Sequence, residues 1–193
     1  MPVRYDAERC ALCLTVEELC AMAHKSGSID ARRPVFGAVE MPGEATLEKM
    51  KKGESVAYKT AVPLTNTVKF GDFFVTVRGT VHGVLENGKT VTVDMVGKGK
   101  AARGAHLHAE LRCLAHFLCE ANGYRSARLR VRVPDKGNGT LRDYCSEMTA
   151  KELRAFYFGL LERVSFFLNF EVHIILPVQF GIFRAILQSQ SKK

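Results

Sequence analysis

From Phe73 to Arg78 apolar and polar residues alternate. Phe73, Val75 and Val77 fall on one side and Phe74, Thr76 and Arg78 on the other. That is the two-residue period of a strand. The pattern resumes after Gly79, His82 and Gly83 and runs to Glu86-Asn87-Gly88-Lys89. Asn-Gly between two such runs is a strong hairpin signal, because both residues tolerate positive φ. Val91 and Val93 then alternate with Thr90 and Thr92 and lead to Asp94. The stretch from Phe73 to Lys100 therefore predicts a two-stranded hairpin with polar groups at its far end, and the remaining elements are arranged around it.

Ahead of the hairpin, Thr15-Val16-Glu17-Glu18 is a capping box that opens a helix to about Lys25, since the threonine and glutamate side chains satisfy backbone amides at a helix start. Leu14 and Leu19 are placed to act as its hydrophobic staple, with Cys10 to Cys13 on the preceding loop. Residues from Ser28 to Gly43 read as loop, Glu44 to Lys52 as a short charged helix ended by Gly53, and Ser55 to Leu64 as a strand. Behind the hairpin, Ala105 to Asn122 is an amphipathic helix. Leu107, Leu111, Leu114, Ala115 and Leu118 share a stripe, and Asn122-Gly123 supplies the stop. Ala127 to Val133 reads as a strand with Leu129, Val131 and Val133 on one face and Arg128, Arg130 and Arg132 on the other. A turn over Asp135 to Thr140 joins it to a strand from Leu141 to Glu147. A second capping box, Thr149-Ala150-Lys151-Glu152, opens a helix through Leu168. Three meandering strands, a helical crossover and two more strands predict an α/β fold, a mixed central β-sheet flanked by helices in the order αβββαββα. Residues 1–170 form the expected domain, and 171–193, with a strand-like VHIIL and a basic end, an appendage.

Composition narrows the class of partner. The chain has 193 residues, 47% hydrophobic and 25% charged, which suits one globular domain with a substantial core. Its formal net charge of +8 favours a polyanion, with nucleic-acid phosphate first and an acidic membrane surface second. No apolar run approaches the ~20 residues of a membrane-spanning helix and no signal-peptide pattern precedes Tyr5, so a cytoplasmic protein with reduced thiols is expected. The basic candidates are Arg128, Arg130 and Arg132 on one strand face, and Lys98, Lys100 and Arg103 at the hairpin end. A row of like charges needs either DNA phosphates or covering carboxylates, such as Glu152 and Glu162, opposite it. Cys10, Cys13, Cys20 and His24 have the spacing of a tetrahedral zinc site, although Cys20 falls on the expected buried face.

The hairpin with GTVHGVL before Asn-Gly and VTVD after it, in this element order, resembles the PD-(D/E)XK nuclease superfamily, and most of all the RecB-like nuclease domains linked to bacterial DNA helicases. The resemblance runs from about residue 12 to residue 168. It implies a restriction-endonuclease-like fold, a place in DNA processing or repair, and DNA and a helicase domain or subunit as partners. In such enzymes acidic residues hold magnesium, which activates water against a phosphodiester, and a lysine stabilises the developing charge. Gly43, Gly79, Gly83, Val84, Leu85, Asp94 and Asn122-Gly123 match the family's motifs. The chemical positions depart from them. Ala61 stands where a glutamate is usual, His82 at the aspartate, Met95 at the metal-binding neighbour of Asp94, Gly97 at the lysine, Glu110 at a glutamine and Leu114 at a tyrosine.

The resemblance thus implies a nuclease scaffold without magnesium-dependent cleavage, acting as a DNA-binding or scaffolding module with no cofactor. Two alternatives stand beside it. An active deoxyribonuclease would rebuild its site from His82, Asp94 and Glu110, with Lys98 or Lys100 swinging in, on manganese or zinc rather than magnesium. A protein-interaction domain would make no contact with DNA.

Overall fold

A computed structural model of the chain describes residues 4–6, 11–24, 41–70, 73–97, 105–135 and 140–164. Its elements are β1 (Arg4–Asp6), β2 (Ala11–Thr15), α1 (Val16–His24), α2 (Glu44–Lys51), β3 (Lys59–Phe70), β4 (Phe73–Asn87), β5 (Thr90–Val96), α3 (Ala105–Asn122), β6 (Ser126–Pro134) and β7 (Leu141–Thr149). A further helix, α4, occupies residues 150–164. The expected αβββαββα order is present within this list. The architecture is mixed α/β and compatible with the restriction-endonuclease-like arrangement.

The strands form one seven-stranded sheet. β3, β4, β5, β6 and β7 lie side by side in chain order; β5 and β6 are parallel, and the other three junctions are antiparallel. β4, at 15 residues, is the longest strand among the described residues. One of its edges carries β3. Its other edge is shared, with β2 parallel to Phe74–Arg78 and β5 antiparallel to Gly83–Asn87.

Three helices pack on one face. Leu19 and Cys20 of α1, Leu111, Leu114 and Leu118 of α3, and Leu153, Tyr157 and Leu160 of α4 join Val75, Val77, Val93, Leu129 and Val131 in the main core. On the opposite face α2 supplies Met50 to a small cluster with Tyr58 and Val96. Both capping boxes form as expected. The Thr15 amide donates to Glu18 Oε2 at 2.7 Å and the Glu18 amide to Thr15 Oγ1 at 3.1 Å. At α4, the Thr149 and Glu152 pair does the same at 2.8 and 3.2 Å. Gly123, at φ 70°, follows α3 where the stop was expected.

Three local readings change. Ala11–Thr15, expected as loop, is strand β2, because Leu12 and Leu14 enter the core while the backbone pairs with β4. The strand expected over Ser55–Leu64 begins at Lys59, after a turn in which the Tyr58 amide donates to the Ser55 carbonyl at 2.9 Å. It continues through the polar Thr65-Asn66-Thr67 to Phe70, paired to β4 throughout and with Leu64, Val68 and Phe70 packed against the main core. In the hairpin, Asn87 pairs with Thr90, so the two loop residues are Gly88 and Lys89. Only Gly88 takes positive φ, at 61°.

Candidate functional site

The row of arginines on β6 decides the chemistry of the sheet's second face. Alternation sends Leu129 and Val131 into the main core and Arg128, Arg130 and Arg132 the other way. On the neighbouring β5, Val93 and Met95 join the main core and Asp94 points with the arginines. The register pairs Asp94 directly with Arg130. Arg130 Nε donates to Asp94 Oδ1 at 2.7 Å and its Nη2 to Oδ2 at 2.6 Å, a two-pronged bond. The Tyr58 hydroxyl donates to the same Oδ2 at 2.6 Å, and Arg132 Nη1 lies 3.6 Å from it.

Two more carboxylates complete the group. Glu54, just past α2, lies 2.7 Å from Arg130 Nη2 and 3.2 Å from Arg132 Nη2. Asp143 on β7 lies 3.1 Å from Arg132 Nε and 3.6 Å from Arg130 Nη1. Arg132 Nη1 also donates to the Met50 carbonyl at 3.1 Å, tying α2 to the sheet. Asp94 is wholly buried and the arginine side chains are only 13% and 9% exposed, so these are interior ion pairs and not surface ones. Burial works against the Arg130 charge, but Asp94 and then Glu54 more than offset it, and the guanidinium pKa rises. Burial, followed by the Asp94 charge and hydrogen bond, pushes the Tyr58 hydroxyl up.

Gly83 makes room for this contact. It pairs with Asp94 across the hairpin, and a Cβ there would land on the Tyr58 phenol. His82, next to it, is 1% exposed and accepts a hydrogen bond at Nδ1 from the Val96 amide at 2.8 Å. That amide lies two residues past the last β4–β5 pair, so the imidazole takes the place of a ladder carbonyl. Burial lowers the His82 pKa to about 4, which keeps the ring neutral with Nδ1 as acceptor. Opposite His82, between the pairs Thr60–Gly83 and Val62–Val81, Ala61 takes φ 54°. A non-glycine residue rarely adopts that left-handed backbone within a strand.

The sequence-derived residues are therefore brought together in a different grouping from the one expected. Asp94, Arg130 and Arg132 meet, whereas Asp94 and Glu110 do not. Glu110, on α3, is 5% exposed and lines a cleft of about 410 Å³ with Met95, Gly79 and Leu114. Met95 and Asp94 project from opposite faces of β5, so Glu110 and Asp94 lie on opposite sides of the sheet. Among the described residues no group of three His, Cys, Asp or Glu side chains is arranged to hold a metal ion. As a donor set for the expected manganese or zinc, His82, Asp94 and Glu110 do not converge: one is an imidazole bonded to backbone, one is held by arginine, and one is across the sheet.

The row of β6 arginines is corrected in part. Arg130 and Arg132 face inward onto carboxylates, which takes them off a phosphate-binding surface; the carboxylates are Glu54, Asp94 and Asp143 rather than Glu152 or Glu162. Arg128 stays exposed, with Nη2 at 3.7 Å from Cys145 Sγ. Lys98, Lys100 and Arg103 lie outside the described residues, as does Cys10 of the zinc set. Cys20 is buried in the main core, where the neighbouring Cys113 and burial push its thiol pKa up. Cys13 faces away from that core, on the side of β2 opposite Leu12 and Leu14. The two cysteines thus point apart.

Tyr58, Glu54 and Asp143 escaped the sequence reading. Asp143 carried a signal, because aligning the β6–β7 hairpin sets it opposite Arg132. Glu54 carried none, since it reaches the arginines only once α2 has packed.

No family model and no curated protein matches the chain. Among solved structures, the protein described as SSO0001 overlays with a TM-score of 0.42 at 13% identity, over 61% of this chain and 56% of that one. The overlay thus spans little more than half of that protein's length. No helix among the described residues is long and apolar enough to cross a membrane.

Proposed function

We propose that the chain is a nuclease-fold domain of DNA processing or repair that has lost metal-dependent hydrolysis and serves as a DNA-binding or scaffolding module in the cytoplasm, alongside a helicase domain or subunit. One observation carries the reading: both oxygens of Asp94 are engaged, by Arg130, Arg132 and Tyr58. A divalent cation needs those hard oxygens. It would have to displace a guanidinium that is itself buried, leaving that charge unpaired. Met95, beside Asp94, offers no oxygen. The resemblance of the hairpin motifs and the net charge of +8 support DNA as the partner.

A salt-dependent gel shift with duplex and single-stranded DNA tests the binding half of this reading. Phosphate contacts release counterions, so affinity must fall steeply as salt rises. Absence of any shift at low salt would leave a protein-interaction domain as the reading.

A further inference from the structure

On β4, Val75 and Val77 enter the main core, so Phe74, Thr76 and Arg78 point to the sheet's second face. The register sets Lys69, Thr67 and Thr65 of β3 beside them in that order, and β2 pairs along the other edge. α2 covers this face farther along, where Met50 meets Tyr58 and Val96. From Phe74 to Arg78 the described residues leave the face open. Phe74 is 48% exposed, and Arg78, Lys69, Thr67 and Thr65 are exposed with it.

Charge on this patch has one sign. Exposed cations elsewhere are taken up by carboxylates, Lys59 by Glu86 and Arg142 by Asp135. Lys69 and Arg78 form no ion pair among the described residues. Neither strand carries a carboxylate between Phe74 and Arg78 or between Thr65 and Lys69, although Glu17 borders the Arg78 end. Lys69 sits directly across from Phe74, and Arg78 lies about 13 Å further along β4. Between them the Thr67 and Thr76 hydroxyls, 3.0 Å apart, offer hydrogen bonds.

An aromatic ring flanked by unpaired cations on an open sheet suits an unpaired polynucleotide, whose bases stack on the ring while its phosphates follow the cations. A duplex keeps its bases stacked on one another and offers Phe74 no free face. We propose that the patch around Phe74, Lys69 and Arg78 binds single-stranded DNA, with a base stacked on Phe74 and phosphates on the two cations. This rests on the DNA-binding reading above and gives it a surface and a strandedness.

The test is fluorescence anisotropy of the full chain with a labelled oligothymidylate of about 12 nucleotides, and with its duplex on oligoadenylate. The single strand is expected to bind more tightly than the duplex, and Phe74→Ala to weaken it about tenfold. Lys69→Gln with Arg78→Gln should lower the slope of log affinity against log salt by about 1.4, the share of two phosphates on a single strand. Lys151→Gln, exposed on α4 across the sheet, should leave affinity as it was. Equal affinity for the duplex, no effect of Phe74→Ala, or an unchanged salt slope would overturn the proposal while leaving DNA as a partner at another surface. No binding of either form would overturn it together with the DNA reading. Should Phe74→Ala fail to fold, photo-cross-linking of the iodouracil-substituted oligonucleotide to the unsubstituted protein decides. A cross-link mapped to Phe74 supports the patch, and cross-links confined to other elements overturn it.

Discussion

Arg130 holds Asp94 by two parallel hydrogen bonds of 2.7 and 2.6 Å, between residues paired directly across adjacent parallel strands. The carboxylate that the hairpin presents at the end of β5 is thus neutralised from within the sheet. Such a pair costs desolvation on both sides, and its worth shows most clearly when one partner is lost.

Arg130→Met should leave Asp94 buried and under-compensated, with Arg132 at 3.6 Å as the remaining cation. The expected loss is about 3–5 kcal/mol in urea denaturation. Adding Asp94→Leu to Arg130→Met should restore most of it, because the stranded charge goes too. A loss below about 1 kcal/mol for the single change, the range of exposed pairs, would mean that the network is solvated in solution.

Gly83→Ala should cost roughly 1–3 kcal/mol through overpacking against Tyr58. Tyr58→Phe should cost about 1–3 kcal/mol by removing a donor to a buried charge. Both act on one contact, so the double substitution should cost less than the two losses added. Melting curves of the three variants check this, and strict additivity would refute the shared contact.

His82 sets a pH dependence. Its folded pKa is lowered from 6.5 to about 4, so between those values the unfolded chain binds more protons. Stability should therefore hold its full value above pH 6.5 and fall as pH drops towards 4, by roughly 3 kcal/mol in total. His82→Asn keeps an acceptor for the Val96 amide but cannot titrate, and should flatten that stretch of the curve. An unchanged slope in His82→Asn would assign the acid sensitivity to other groups.

The fold was legible wherever a residue's local neighbours determine its state. Thr15 with Glu18, and Thr149 with Glu152, announce helix starts by side-chain chemistry within one turn. The alternation of Val91 and Val93, and of Leu129 and Val131, fixes which side of each strand is buried. Thr65-Asn66-Thr67 was not legible as strand, because three successive polar residues show no apolar alternation and their pairing to β4 lies outside the segment. The site was legible in its members and not in its pairing. Asp94 and the β6 arginines stood out singly, but their meeting depends on the parallel register of β5 and β6, which is set by the α3 crossover. The sidedness of Asp94 and Glu110 follows from the same crossover, since α3 covers the Met95 face and leaves Asp94 on the other.

Cleavage of supercoiled plasmid and of single-stranded DNA, with magnesium and separately with manganese, tests most directly whether Asp94 serves an arginine or a metal. The account predicts no cleavage above a protein-free control with either ion. Cleavage that is lost in Asp94→Asn, in a variant that still folds, would contradict it.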